Sequence, residues 1–273
     1  PSGYDLVALA MSEPQYGTDE IKGLLGRIAA ARVPCLSIMN MPPLPYLARI
    51  PGLDASGLTD AFNDPQVWDG FEPGLVTLCS PDPQAFRPPE TGGNVLHVGL
   101  PTNFKSAPFA DPAHTAMLRE LESAIEAVRV EGKDVPVKLR VYDSLFVPFA
   151  KWAMLLTGNY RCILEDGVQP IREAVHGDVA LAEEVYGQVA DLVIRLGAEP
   201  SDMVPFAKYA AAAEGLLKPS SAARAIDSGA TSIERVDKLV ALIAAQMGVT
   251  IPEVARISTV VDARLAGNLA RAA

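Results

Sequence analysis

The sequence lacks the short motifs that identify most nucleotide-binding and hydrolytic enzymes. It contains no GxGxxG turn, no P-loop, no GxSxG nucleophile elbow and no HExxH zinc motif. Only three cysteines are present (Cys35, Cys79 and Cys162), widely spaced and without a CxxC pair. This pattern argues against a zinc site, and it indicates reduced, mostly buried thiols in a cytoplasmic protein.

Positive charge and long apolar runs are also scarce. The formal net charge is −10, and this acidity argues against nucleic acid or an anionic membrane surface as a partner. No apolar run reaches the roughly 18 residues of a membrane span, and no charged-then-apolar leader is visible. The three histidines have no neighbours in sequence that suggest a metal site.

What is present in the first half is an alternation of strand and helix patterns. Apolar runs at 4–10 and 33–39 predict buried strands, and a helix capped by Thr18 or Asp19 is predicted between them, to about residue 31. A strand–helix–strand unit of this length predicts a parallel sheet. Residues 74–79 and 94–100 predict edge strands, followed by a helix to about residue 129 and a last strand at 135–141.

The second half has only helical patterns. Helices are predicted at 143–160, 171–197, 202–215, 219–228, 231–248 and 252–269. We therefore predict an incomplete Rossmann-like parallel-sheet domain over 1–141 and an all-α domain over 142–273. A cleft between two such domains is a favoured place for a ligand.

The chain opens directly on a buried-strand pattern after Pro1. A protein rarely begins at the centre of a sheet, because a central strand needs neighbours on both sides. We therefore expect a preceding N-terminal segment that lies outside this sequence or was lost in evolution.

Several patterns, taken in order, resemble the ketopantoate reductase family. That family has a lysine followed by asparagines four and eight residues later, then a Ser-Ser pair, a glutamate and a G-[IV]-x-x-P entry to the last helix. The matching positions here are Lys151 and Asn159, then Ser220-Ser221 and Glu234, then Gly248-Val249 and Pro252. Residues 4–7 and 37–40 resemble the family's fourth and fifth Rossmann strands. The resemblance implies a helical domain of the 6-phosphogluconate-dehydrogenase-like C-terminal type.

The resemblance also implies a function and a set of site residues. The implied reaction is NADPH-dependent reduction of a 2-oxo acid to a 2-hydroxy acid. Independently of the resemblance, the long helices of the second half could pair two subunits, so we expect a homodimer. Lys151 would be the general acid, and Glu234 would bind a substrate hydroxyl. The remaining implied residues are Asn159, Ser220 and Ser221 for the substrate, and Asn40 and Ser12 for the cofactor.

The chain departs from the family pattern at several of these positions. Leu155 stands where the family has its first asparagine, Met41 replaces a glycine, and Met11-Ser12 replaces a cofactor-contacting lysine. The family spacing places the glutamate at position 233, which is Ile233 here, and Glu234 follows one residue later. A slip of one residue turns a helical side chain by about 100°. These changes favour a 2-oxo acid more apolar than ketopantoate. Without the glycine-rich loop, a catalytically lapsed homologue that binds a small acid or a protein partner is the alternative.

Each candidate residue also has a plain structural interpretation. Lys151 can be a solvated lysine on an amphipathic helix, and Asn159 can cap a turn. Ser220 and Ser221 follow Pro219, so either serine can be an ordinary N-cap. Glu234 can form a solvated pair with Lys238 on a helix surface.

Overall fold

The computed structural model describes residues 3–81 and 102–272, together with 85–86, 90, 95 and 97–98. Five strands form the main sheet in the order β1-β2-β3-β6-β9. Their bounds are β1 Val7–Leu9, β2 Cys35–Ile38, β3 Val76–Pro81, β6 Thr102–Ser106 and β9 Val137–Val141. Two short pairs accompany the sheet: β4 (Ala85–Phe86) with β5 (His97–Val98), and β7 (Arg129–Val130) with β8 (Lys133–Asp134).

The expected parallel sheet is mixed in the structure. Strands β1, β2 and β3 are parallel, as the strand–helix–strand pattern predicted, but β3 pairs antiparallel with β6. A parallel connection needs a crossover, usually a helix, and the described residues between β3 and β6 contain only the short β4–β5 pair.

One strand prediction is wrong in placement, and a second falls mostly outside the described residues. The run at 74–79 was predicted to be an edge strand, but β3 is the middle strand of the sheet, and five of its six residues are buried. The predicted strand at 94–100 lies largely outside the described residues; His97–Val98 pairs with β4 rather than with the main sheet. Strand β6 was not predicted.

Helices surround the sheet and then make up the rest of the chain. The first half contains α1 Glu13–Tyr16, α2 Asp19–Ala31, α3 Leu44–Leu47 and α4 Pro112–Ala127. The second half contains α5 Ala150–Met154, α6 Ile171–His176, α7 Val179–Arg195, α8 Phe206–Ala213, α9 Ser221–Asp227, α10 Val236–Gln246 and α11 Pro252–Ala272. Short 3-10 turns lie at Ala55–Ala61, Pro65–Trp68, Pro73–Leu75, Val147–Phe149 and Pro200–Asp202, and a π-helical turn lies at Leu155–Asn159. The fold class, α/β followed by all-α, is therefore confirmed.

Two predicted helices have different bounds because of local capping. The segment 171–197 is divided between α6 and α7, because Asp178 accepts a hydrogen bond from the Leu181 N–H at 3.0 Å and starts a new helix. The segment 231–248 becomes helical only at Val236, since Arg235 has a non-helical backbone (φ −107°, ψ 54°).

The core follows the alternation of the strands. Cys35 faces a large cluster that extends into the helical half, while the adjacent Leu36 faces a smaller cluster under α4. In the large cluster Phe149 stacks on Trp152 with ring centroids 4.2 Å apart, and Tyr46 meets the edge of Phe149. This shared packing holds α5 against the α/β half. None of the described helices is long and apolar enough to cross a membrane.

Candidate active site

The candidate site lies at one edge of the sheet. Because β1, β2 and β3 are parallel, their carboxyl ends meet at the same edge, which is where open α/β sheets bind ligands. Ser12 lies three residues after β1, Asn40 lies two residues after β2, and Pro81 ends β3. Sheet topology alone therefore brings both predicted cofactor residues to one edge.

Lys151 reaches this edge from the helical half. It is the second residue of α5, and its Nζ donates a hydrogen bond to the main-chain oxygen of Pro81 at the end of β3. Its neighbours Ala150 and Trp152 are buried, and Lys151 itself is half-buried. Lys151 is therefore not a solvated surface lysine, because its ammonium group is held at the sheet edge.

Glu234 reaches the same place from the loop between α9 and α10. Its Oε1 accepts a hydrogen bond from the Glu13 N–H at 3.4 Å, and its carboxylate also accepts one from the Asn40 side chain. Burial and the nearby charge of Glu13 raise the pKa of Glu234 to about 7, although the hydrogen bonds and the Lys151 charge lower it. A carboxyl group of this kind is part protonated at neutral pH.

The Glu234 loop is held by neighbouring side chains. The Tyr160 hydroxyl donates to the main-chain oxygen of Glu234 at 2.5 Å and accepts from the Val236 N–H at 3.1 Å. Arg235 forms an ion pair with Asp237 at 2.8 Å and a second with Asp262 at 2.5 Å. Asp237 is fully buried, so this pair fixes the backbone on the helical side of Glu234.

The rotation expected from the one-residue slip applies to a helix, and Glu234 is not in a helix. It lies in the loop from 228 to 235, between α9 and α10. The surface pair of Glu234 with Lys238 is not formed. The Lys238 ammonium lies 3.8 Å from Asp262, and Glu234 points into the site.

The structure brings Asn159 and Ser220 together. The Ser220 hydroxyl donates to the main-chain oxygen of Asn159 at 2.7 Å and accepts from the Ala223 N–H at 3.1 Å. Ser220 is therefore the N-cap of α9 and is buried, while Ser221 is exposed in the first turn of that helix. Tyr160 follows Asn159 directly, which places this cluster beside the Glu234 loop.

Ser12 is an exposed residue at the start of α1. Its N–H donates to the Gln15 side chain at 3.1 Å. Leu155, where the family has an asparagine, is 5% exposed and belongs to the core cluster. It opens the π-helical turn, whose defining bond runs from the Tyr160 N–H to the Leu155 oxygen at 2.9 Å.

Three residues of this site escaped the sequence analysis. Glu13 lies one residue beyond Ser12 at the strand edge, so the edge rule could have singled it out. Tyr160 follows the predicted Asn159, and burial raises its pKa well above the ordinary range, so it stays a neutral donor. Asn63 lies in a loop with no pattern that could have identified it; it binds Glu13 through its main-chain N–H at 2.9 Å and through its side chain.

Solved structures share this fold. D-mandelate dehydrogenase, in a structure with NADH and anilino(oxo)acetate, aligns with a TM-score of 0.65 at 13% identity, covering 97% of this chain and 78% of the dehydrogenase. The 2-dehydropantoate 2-reductase of Geobacter metallireducens aligns with a TM-score of 0.62 at 15% identity, covering 94% and 76%. A PanE/ApbA family ketopantoate reductase of Ralstonia eutropha aligns with a TM-score of 0.60 at 15% identity, covering 98% and 78%.

The chain therefore has the ketopantoate reductase fold, as its resemblance to that family implied. No family model matches the sequence, and no curated protein matches it. At 13 to 15% identity, the TM-scores of 0.60 to 0.65 show a common fold alone, and the function has to be argued from the site.

Proposed function

We propose that this chain is a reductase that converts a 2-oxo acid into a 2-hydroxy acid with a nicotinamide cofactor, NADPH. The observation that carries the proposal is the meeting of Lys151 and Glu234 with Asn40 at the carboxyl ends of β2 and β3. D-mandelate dehydrogenase, which has this fold, holds NADH and anilino(oxo)acetate in its structure.

Lys151 has the chemistry that carbonyl reduction requires. When hydride reaches the carbonyl carbon, negative charge develops on the carbonyl oxygen, and a proton must be delivered there. The Lys151 ammonium can stabilise that charge and donate the proton. Its flexible stem lets it exchange the Pro81 oxygen for the substrate oxygen.

The strand edge fits a nicotinamide. The Oδ1 atom of Asn40 is buried and has no hydrogen-bond partner among the described residues. A buried acceptor without a partner is costly, and the carboxamide N–H of a nicotinamide would satisfy it. The cofactor supplies hydride, Asn40 would orient the ring, and Ser12 would line the same edge. The part over 1–141 is accordingly proposed to hold the cofactor.

The helical part over 142–273 is proposed to hold the substrate and to pair two subunits. Asn159 and Ser221 are the proposed contacts to the substrate carboxylate. Ser220 would hold both in place, because its hydroxyl donates to the Asn159 oxygen and caps the helix that begins at Ser221. Glu234 would donate a hydrogen bond to the substrate oxygen in its neutral form. Because the apolar residues Leu155 and Met41 stand where the family has an asparagine and a glycine, we propose a substrate with a more apolar side chain than ketopantoate.

The experiment is NADPH oxidation against a panel of 2-oxo acids with alkyl and aryl side chains, ketopantoate included. Lys151→Ala should lower kcat by about 10² to 10⁴-fold, because it removes the proton donor. Lys208→Ala, an exposed lysine on α8, is the matched control and should leave turnover unchanged. Turnover that is insensitive to Lys151→Ala contradicts the assignment. Binding of a 2-oxo acid without turnover supports the catalytically lapsed alternative.

A further inference from the structure

A π-helical turn lies between Lys151 and Asn159. The regular bonding of α5 is interrupted over Leu155–Asn159, where the Tyr160 N–H donates to the Leu155 oxygen, five residues back, at 2.9 Å. Such a turn contains one residue more than the α-helical turn that it replaces, and π-turns occur frequently at functional sites. The extra residue changes the direction of the side chains that follow it.

The extra residue brings Asn159 onto the side of the helix that carries Lys151. In an uninterrupted α-helix, a side chain eight positions on would be turned about 80° away from Lys151. One extra residue turns it back by about 100°, which leaves Asn159 within about 20° of Lys151. The burial agrees, because the residues of 150–160 that are not buried are Lys151, Met154 and Asn159.

Tyr209 holds the turn from α8. Its hydroxyl donates to the Met154 oxygen at 3.0 Å, at the residue where α5 ends. The Tyr209 ring is itself fixed, because it is buried and stacks on Tyr186 with ring centroids 5.6 Å apart. A side chain that inserts into the hydrogen-bond ladder of a helix is one cause of a local break in that helix. Tyr209 therefore supplies a bond that stabilises the π-turn.

Gly158 makes room for the Tyr209 hydroxyl. It lies inside the turn and is buried. A Cβ atom at this position would collide with the Tyr209 hydroxyl and would lie 3.1 Å from Cγ2 of Ile171. The turn therefore depends on a glycine of its own and on a tyrosine from another helix.

The same turn directs Tyr160 to the loop that carries Glu234. Successive side chains of a helix point about 100° apart, so Tyr160 leaves the helix on a different side from Asn159. On that side its hydroxyl donates to the main-chain oxygen of Glu234 at 2.5 Å. One extra residue in the helix therefore sets the directions of Asn159 and Tyr160 together.

We propose that Gly158 and Tyr209 are positioning residues that hold the π-turn. In that turn Asn159 faces the same side as Lys151 and binds the carboxylate of the substrate. The inference rests on the proposed function, and both residues act through Asn159. Loss of the Tyr209 hydroxyl should weaken binding of the acid rather than the chemical step, because Lys151 precedes the turn and is held separately by the Pro81 oxygen.

The first experiment needs no substrate. Asn159→Cys introduces a thiol into a chain whose native cysteines are all buried. Its rates of reaction with an anionic and a cationic methanethiosulfonate reagent are compared. If the thiol shares a face with Lys151, the ratio of the anionic to the cationic rate should fall about two- to five-fold when Lys151→Ala is added, because the ammonium charge is lost. An unchanged ratio would show that the two positions do not share a face and would overturn the proposal.

Tyr209→Phe then tests the turn itself. It keeps the ring that stacks on Tyr186 and removes the bond to the helix, so in the Asn159→Cys chain it should lower the same ratio by about two-fold or more. Tyr186→Phe is the matched control. Tyr186 is also buried, and its hydroxyl donates to a main-chain oxygen, that of Val204, at 2.7 Å, so its loss should leave the ratio in place. An unchanged ratio in Tyr209→Phe overturns the proposal, whatever the protein turns over.

The second experiment measures steady-state kinetics with a 2-oxo acid. Tyr209→Phe should raise the KM for the acid about five- to ten-fold, because a hydrogen bond to a charged group is lost, with kcat and the KM for NADPH little changed. In an Asn159→Ala background the same change should have no further effect on KM, since the two residues act as one unit. Additive effects on KM would overturn the proposal. If the thiol rates change as expected and the wild type turns over no 2-oxo acid, the proposed function alone fails.

Discussion

The two halves of the molecule place polar groups at the site by different means. In the α/β half, Ser12, Asn40 and Pro81 share an edge because β1, β2 and β3 are parallel. In the helical half, Glu234 lies on a loop that side chains hold from both ends, through Tyr160 and Arg235. Groups placed by strand pairing should tolerate side-chain changes nearby, whereas groups placed by a side-chain network should not.

The largest expected effect is in the helical half. Asp237→Ala strips the fully buried partner from Arg235 and should lower the free energy of unfolding by about 3 kcal/mol, because one buried charge is left without its main partner. Asp262→Ala removes the half-exposed partner of the same arginine and should cost about 0.5 to 1 kcal/mol. Denaturant titrations at neutral pH measure both. If both variants lost the same free energy of unfolding, the burial of the Arg235–Asp237 pair would not be what holds the loop of the helical half.

The second prediction concerns Glu234 and pH. Its folded-state pKa of about 7 lies above the ordinary 4.5, so the folded state binds the proton more tightly than the unfolded chain. The resulting stability is complete below pH 4.5 and is lost as pH rises through 7. Glu234→Gln mimics the neutral form and should be more stable than wild type by roughly 3 kcal/mol at pH 8 and by less than about 1 kcal/mol at pH 5. Urea unfolding at the two pH values tests this, and a gain that is equal at both would contradict it.

The third prediction separates two adjacent serines. Ser220→Ala removes the N-cap of α9 and the bond to the Asn159 oxygen, so it should lower the free energy of unfolding by about 1 kcal/mol. Ser221→Ala, on an exposed residue of the same helix, should change it by less than about 0.5 kcal/mol. Thermal unfolding of the pair tests the contrast. If Ser221→Ala weakens substrate binding without loss of stability, its proposed contact is supported.

The smallest effect is expected at the strand edge. Ser12→Ala leaves the main-chain bond from residue 12 to Gln15 intact and should change the free energy of unfolding by less than about 0.5 kcal/mol. If Ser12 lines the cofactor site, the KM for NADPH should rise in this variant while the Glu234 titration stays constant. A large loss of stability would show that the edge also depends on side chains.

The difference between placement by strand pairing and placement by a side-chain network also explains what could be predicted from the sequence. Strand β2 and the position of Asn40 follow from local patterns, because a buried strand and its end are visible in a few residues. The mixed direction of the sheet could not be predicted, because the pairing of β3 with β6 depends on residues far apart in the chain.

In the helical half, the loop that carries Glu234 could not be predicted from the sequence for the same reason. Apolar spacing from Ile233 onward resembles a helix, and it predicted a start near residue 231. The contact of Tyr160 with Glu234 and Val236 joins residues about 75 positions apart, and no local pattern carries that information. For the same reason Glu13 and Asn63 were missed, and Lys151 was proposed only through a family resemblance.

The burial of the Arg235–Asp237 pair also determines how the site responds to ionic strength. Dissolved ions screen the attraction between exposed charges, and the screening length is about 10 Å at 0.1 M salt. Buried charge pairs are screened much less. Arg119 and Asp143 pair on the surface with side chains 49% and 92% exposed, whereas those of Arg235 and Asp237 are 10% and 0% exposed. Added salt should therefore weaken the surface pair and leave the Glu234 loop in place, which makes the site tolerant of changes in the ionic medium.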